Sequence, residues 1–318
     1  VSEPAFRRAL VIRGGALGDF LLTLPVLAAL REAEPDAHLE VLAYPGIAAL
    51  ARAGGLVDGV RSIEYGPLAG FFTRGPAADP ALRAYFASFD LVISYLYDPD
   101  GMFAENLRAA GVRRLVEGPH RAGGGAHAID QLAAPLAELG LPLSARAVHL
   151  GIAPDRGVRP SVFLHPGSGS AAKNWAPENW RTLASRWLED DPGLQLAIVG
   201  GEADAAALSM LRDLGAPDRV RYLENLPLPD LAAALGGGLL YLGHDTGISH
   251  LAAAVGTPSL LLFGPTDPGV WAPPHSQVRV LRAPGGRLDA LSPETVRRAA
   301  ERLRELASGR GNAETGLT

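Results

Sequence analysis

The sequence predicts an α/β protein of two Rossmann-like domains, each a parallel sheet with crossover helices, facing one another across an interdomain cleft. Three observations carry this. Short apolar runs of strand length alternate with helix-length amphipathic segments through the whole chain. The alternation stops over 150–161, "GIAPDRGVRPS" with the leucine before it, and then restarts. At 318 residues the chain has length for two domains at about 100–200 residues each. We place the boundary at 155/156, with residues 1–155 and 156–318 as the two domains, the C-terminal helix being free to pack back on the first.

In the first half, "ALVIRG" (9–14), "HLEVLAY" (38–44), "VRSIEY" (60–65) and "FDLVISYL" (89–96) read as strands. "GDFLLTLPVLAALREAEP" (18–35) reads as one helix that Pro25 either kinks or falsely starts. Segments 66–80 and 117–130 read as long irregular loops, a class often functional. In the second half, strands are expected at 161–165, 194–200, 220–224, 239–243 and 259–264. Ser292 opens a capped C-terminal helix over 292–309. In sheets of this kind ligands bind outside the carboxyl ends of the strands.

Composition removes several classes. The formal net charge is −5, which argues against a general nucleic-acid binder. There is no cysteine, so disulfide and thiolate chemistry are excluded. No apolar run reaches the ~18 residues that span a bilayer, and the first residues lack a signal-peptide core. A soluble, cytoplasmic protein is expected, with peripheral contact at the inner membrane face left open. No H-E-x-x-H, Cys/His cluster or G-x-S-x-G appears, so neither a metal site nor a resident cofactor is expected.

Three loops carry candidate chemistry. "RGGALGD" (13–19) follows the first strand and places Asp19 on the first turn of a helix. The dinucleotide fingerprint G-x-G-x-x-G fails there, because Arg13 stands where its first glycine belongs and strand two ends in Ala43-Tyr44 without an acid. The plain alternative for Asp19 is a carboxylate favoured by the helix dipole. "HPGSGSAAKNWAPENW" (165–180) is a Gly/Ser loop between strand and helix that holds Lys173, the only lysine of the chain. Small residues let backbone N–H groups approach an anion, and a compact ammonium adds charge. It is not a Walker A loop, since Asn174 follows the lysine. "GHDTGISHLAAAVGTPSLLLFGPTDP" (243–268) places Asp245 at an expected N-cap. Its stripe Ile248, Leu251, Ala252 and Val255 reads as core, with Thr246 and His250 on the opposite face. Glu202 and Glu224 close neighbouring strands, where a solvated surface position is the first reading and acceptance from ribose hydroxyls the second.

In this order and spacing, "VIRGGALGDFLLTLPVLAALR", "HPGSGSAAKNWAPENW" and "HDTGISHLAAAVGTPSLLLFGPTDP" resemble glycosyltransferase family 9, the ADP-heptose:lipopolysaccharide heptosyltransferases. The resemblance implies a GT-B fold, with the acceptor on the N-terminal domain and the nucleotide-sugar on the C-terminal one. It also implies an inverting, metal-independent transfer. Asp19 matches the family's general base and Lys173 the lysine that neutralises the donor diphosphate. Asp245, Thr246, Gly247 and His250 match the donor-binding helix mouth, with Ser168 and Ser170 as phosphate-loop hydroxyls and Glu224 toward the ribose. The expected partners are a nucleotide-sugar, ADP-heptose above all, and a glycan or glycolipid acceptor. Arg61, Arg74 and Arg121 are candidates for an acidic acceptor.

The sequence departs from the family where Gly14-Gly15-Ala16 replaces a Ser- or Thr-bearing loop and Leu22 replaces a histidine. A different nucleotide-sugar, a catalytically silent binding module and a nicotinamide-dependent oxidoreductase are the rival readings.

Overall fold

The structure is a computed structural model that describes residues 5–75, 79–157, 159–201 and 204–309. The chain divides into two compact units, Val1–Gly151 and Ile152–Thr318.

The first unit carries a five-stranded parallel sheet in the order β3-β2-β1-β4-β5. Its strands are β1 (Arg8–Arg13), β2 (His38–Ala43), β3 (Gly59–Ser62), β4 (Leu91–Ser94) and β5 (Arg114–Glu117). Helices α1 (Leu17–Leu21), α2 (Leu24–Ala33), α3 (Pro45–Ala53), α4 (Pro80–Ala87), α5 (Met102–Ala109), α6 (Ala128–Leu132) and α7 (Ala134–Leu139) connect or follow them. The single helix read over 18–35 is two. Pro25 sits in the first turn of α2, where its missing N–H costs nothing. The Thr23 hydroxyl donates to the Asp19 carbonyl at 2.9 Å and closes the break. The first part of segment 66–80 is not the irregular loop expected. Gly66–Phe72 forms a 3-10 helix that drives Phe71 into the core beside Phe86 and Phe103. Fully burying an aromatic of this size contributes about 1.5–3 kcal/mol.

The second unit holds a six-stranded parallel sheet in the order β11-β10-β9-β6-β7-β8. Its strands are β6 (Val162–Leu164), β7 (Leu196–Gly200), β8 (Val220–Glu224), β9 (Leu240–His244), β10 (Ser259–Phe263) and β11 (Val278–Arg282). Its helices are α8 (Pro177–Asp190), α9 (Ala205–Leu211), α10 (Leu228–Gly236), α11 (Gly247–Ala254), α12 (Pro268–Trp271) and α13 (Pro293–Ala307). Near-continuous apolar strands fit a sheet covered on both faces. Trp175, Trp180 and Trp187 pack with Leu183, Leu196 and Ile198 in this core. The sequence left the C-terminal helix free to pack on the first unit. Its buried stripe, Val296, Ala300 and Leu303, lies in the core of the second.

Both sheets reverse direction once. In the first unit the strands on either side of the reversal are β1 and β4, and in the second they are β6 and β9. A crevice opens outside the carboxyl ends at each such point, because the connections leave in opposite directions. The four loops that follow these strands are therefore where each unit can hold a ligand.

Candidate functional site

In the first unit, Asp19 is the third residue of the short helix α1 and has two partners. Its Oδ2 accepts the Ala16 backbone N–H at 3.0 Å, as half of a capping box. Its Oδ1 lies 3.4 Å from an amino nitrogen of Arg13. Gly15 turns the chain with φ +94°, and a Cβ there would come within 2.8 Å of Asp19 Oδ2. The glycine is thus needed both for the turn and for the close approach.

Arg13 ends β1 and is almost wholly buried, with its side chain 2% exposed. Its guanidinium donates to the carbonyls of Asp19 (3.3 Å) and His120 (3.0 Å) and lies over the Tyr95 ring. Burial pulls its pKa down from the ordinary arginine value, while Asp19 and Tyr95 work the other way. Burial likewise raises the Tyr95 phenol, whose hydroxyl donates to the Leu132 carbonyl.

A cleft of about 750 Å³ is lined by Arg13, Gly15, Asp19, Tyr97, His120 and Arg121 among others. Tyr97 is 65% exposed and its ring meets His120 at 4.7 Å. Of the three arginines proposed for an acceptor, Arg121 alone is brought to this cleft. Arg61 is spent on aromatic stacking, 4.2 Å over Tyr85 and 5.4 Å over Tyr65. Arg74 lines another hollow, beside Asp100 and Glu105. Leu22 is buried in this unit.

In the second unit, the loops after β6 and β9 bring Lys173 and Asp245 together. Lys173 Nζ donates to Asp245 Oδ2 at 2.8 Å, with side chains 32% and 10% exposed. The sequence reading gave Asp245 the N-cap of α11, and the structure gives it to Thr246. Thr246 is extended (φ −143°, ψ 164°) and its hydroxyl accepts the Ser249 N–H at 3.4 Å. A carboxylate one residue further out is released from capping and turns to the ammonium.

The expected faces of α11 also shift. Ser249 through Ala254 are all buried, because the helix lies against β9, β10 and α10, while Ile248 and Val255 are half-buried. His250 is therefore inside the unit rather than on an open face. Gly247 is half-buried as the first residue of α11.

Around the Gly/Ser loop, Ser168 Oγ donates to the Ser170 carbonyl at 2.8 Å, a bond within the loop. Ser170 is exposed. Glu224 ends β8 and is held by Arg212 at 2.7 Å, on an edge strand two places from β6. Glu202 lies outside the described residues.

Three residues the sequence reading did not assign sit beneath the loop. His244, the last residue of β9, is fully buried and accepts the Trp175 N–H on Nε2 at 2.8 Å. Its Nδ1 faces the Gly167 carbonyl at 3.4 Å. His165 lies between Asp204 (Nε2 to Oδ2, 3.5 Å) and the Thr246 hydroxyl (Nδ1 to Oγ1, 3.4 Å). Burial opposes the charged form of Asp204, but bonds from His165 and the Gly201 N–H outweigh it and hold the carboxyl below its ordinary range. A methyl on Gly167 would overlap the Asp204 carboxylate. The one signal in the sequence was the pair of histidines closing neighbouring strands, at 165 and 244.

Among the described residues no group of three or more His, Asp or Glu is placed to hold a metal ion. No helix among them is long and apolar enough to cross a membrane.

The folds of solved proteins agree with this architecture. A glycosyl transferase family 9 protein from Veillonella parvula superposes with a TM-score of 0.77 at 19% identity, covering 95% of this chain and 98% of that one. The E. coli heptosyltransferase WaaC with ADP superposes at 0.71 with 23% identity, covering 93% and 99%. By sequence, lipopolysaccharide heptosyltransferase 1 of Escherichia coli O18:K1:H7 is 33% identical over 151 residues, 46% of this chain and 44% of the relative. The matched part thus spans less than half the length of that relative. Lipopolysaccharide heptosyltransferase 3 of E. coli K12 is 25% identical over 295 residues, 80% of this chain and 82% of the relative. The model of "Glycosyltransferase family 9 (heptosyltransferase)" matches residues 126–296, more than half of the chain, and with it the Lys173 loop and the Asp245 helix start. The chain belongs to glycosyltransferase family 9.

Proposed function

We propose that the protein transfers a sugar, with inversion and without a metal, from a nucleoside-diphosphate donor to a hydroxyl of a saccharide acceptor. ADP-heptose is the donor we favour, since the related enzymes carry heptosyltransferase names. The observation that carries the reading is the Lys173–Asp245 pair at the reversal point of the second sheet. An ammonium there meets a diphosphate, and a carboxylate beside it accepts from sugar hydroxyls.

In this reading the second unit binds the donor and Asp19 of the first unit is the general base. The acceptor oxygen forms a bond to the anomeric carbon as the bond from that carbon to the phosphate oxygen breaks. The hydroxyl proton passes to Asp19. The electron pair leaves with the diphosphate, whose growing charge Lys173 stabilises. Tyr97 and Arg121 line the Asp19 cleft and would hold the acceptor.

Asp19→Asn tests the base. An asparagine oxygen still accepts the Ala16 N–H, so the turn and donor binding are kept. Turnover with the matching donor should fall by about 10²–10⁴-fold. Undiminished turnover would remove Asp19 from the mechanism.

A further inference from the structure

The loop that presents Lys173 is fastened at both ends to one side chain, His244. The ring accepts the Trp175 N–H on Nε2 at 2.8 Å, so the proton of the neutral imidazole is on Nδ1. That nitrogen faces the Gly167 carbonyl at 3.4 Å. Gly167 and Trp175 bracket the segment that contains Lys173. The ring itself is held by the edge of Trp180 (5.3 Å, 87°), which in turn meets Trp175 at 5.3 Å. Ser249 donates to the His244 carbonyl and ties this residue to the first turn of α11, next to Asp245.

Only a neutral histidine can do this, since a second ring proton would face the Trp175 N–H. The site enforces neutrality. Burial, reinforced by the neighbouring His165, lowers the His244 pKa to about 3.

We propose that His244 is a positioning residue for donor binding: its Nδ1–H tautomer bridges Gly167 and Trp175 and so sets the height of Lys173 at the diphosphate. The assignment goes beyond the role given to Lys173 and rests on it. In the sequence the residue falls just past the expected strand 239–243 and before the loop that carries Asp245.

The test is calorimetric titration of the full chain with ADP, and with UDP in parallel, on His244→Leu, His244→Asn, His244→Gln, Lys173→Ala and the double variant Lys173→Ala/His244→Leu. A glutamine amide can place its oxygen near the Nε2 position and keep the Trp175 bond, whereas an asparagine amide reaches only the Nδ1 position and loses it. His244→Leu and His244→Asn should weaken binding about tenfold, the worth of one charge-assisted hydrogen bond, and His244→Gln should restore most of it. The double variant should bind no more weakly than Lys173→Ala alone, because the lysine is the only route of the effect. A histidine that merely stabilises the fold would lower the melting temperature in all three His244 variants and leave affinity unchanged, which overturns the proposal. So would losses that multiply in the double variant. Should His244→Leu fail to fold, the Asn and Gln pair decides alone. If Lys173→Ala itself leaves affinity unchanged, it is the donor-site reading that fails.

Discussion

The role proposed for Lys173 at a diphosphate meets a competitor, because its ammonium already bonds Asp245. Asp245→Asn separates the two roles of the pair, because it removes the carboxylate charge and keeps an oxygen acceptor. Unit charges 2.8 Å apart attract by roughly 6 kcal/mol at an effective dielectric of about 20. Lys173 is about one-third exposed, and water screens it while both groups lose hydration. The net worth of the contact is then about 1.5–3 kcal/mol, the range of a hydrogen bond to a charged group. A diphosphate must displace or share this contact, and the carboxylate also repels it. Relieving both should tighten ADP binding by about 1–2 kcal/mol, or roughly 5–30-fold. Transfer should fall in the same variant, because the sugar loses its anionic acceptor. Calorimetry with ADP at low and high salt measures the first effect, and initial rates with the intact donor measure the second. The gain should shrink with salt, since part of it is screened repulsion. ADP affinity that stays level or drops in Asp245→Asn would mean that the carboxylate organises the lysine instead of competing for it.

Two further outcomes are expected. Lys173→Arg keeps the charge but replaces a compact ammonium by a wide planar fork, so donor KM should rise and turnover fall; equal donor use by the arginine variant would make the sole lysine incidental. For His244, the folded pKa of about 3 lies below the ordinary 6.5, so between these values the unfolded chain binds a proton that the native chain does not. Stability is therefore full above pH 6.5 and declines as pH falls, by about 2 kcal/mol at pH 5 from this group alone. The stability difference between the native chain and His244→Gln should narrow by that amount between pH 7.5 and 5 in urea titrations, and parallel pH slopes for the two would contradict it.

The alternation of apolar runs gave the two parallel sheets, because strands buried on both faces are continuous in sequence. Two of the four edge strands, β5 and β11, were not read. Arg114–Glu117 and Val278–Arg282 are short and half-exposed, so their charges mask the apolar positions. Lys173 and Asp245 were legible as members of loops, but their pairing was not. It depends on β6 and β9 being neighbours in the sheet, and on whether Asp245 or Thr246 caps α11, a matter of one residue's backbone angles. Arg13 was visible only as the wrong residue in a glycine motif. Its role appears once β1 and β4 are adjacent and Tyr95 and the His120 carbonyl surround it. His244 required the fold most of all, since both groups it joins are backbone and leave no trace in sequence.

That Lys173 is the chain's single lysine has a practical consequence. It is the only side-chain primary amine, so reductive methylation with isotope-labelled formaldehyde would introduce one side-chain NMR signal, placed beside Asp245. Its shift would follow the arrival of a phosphate, the removal of the aspartate or a movement of the loop without any engineered label. A composition almost purged of lysine thus leaves the proposed donor site with a built-in spectroscopic reporter.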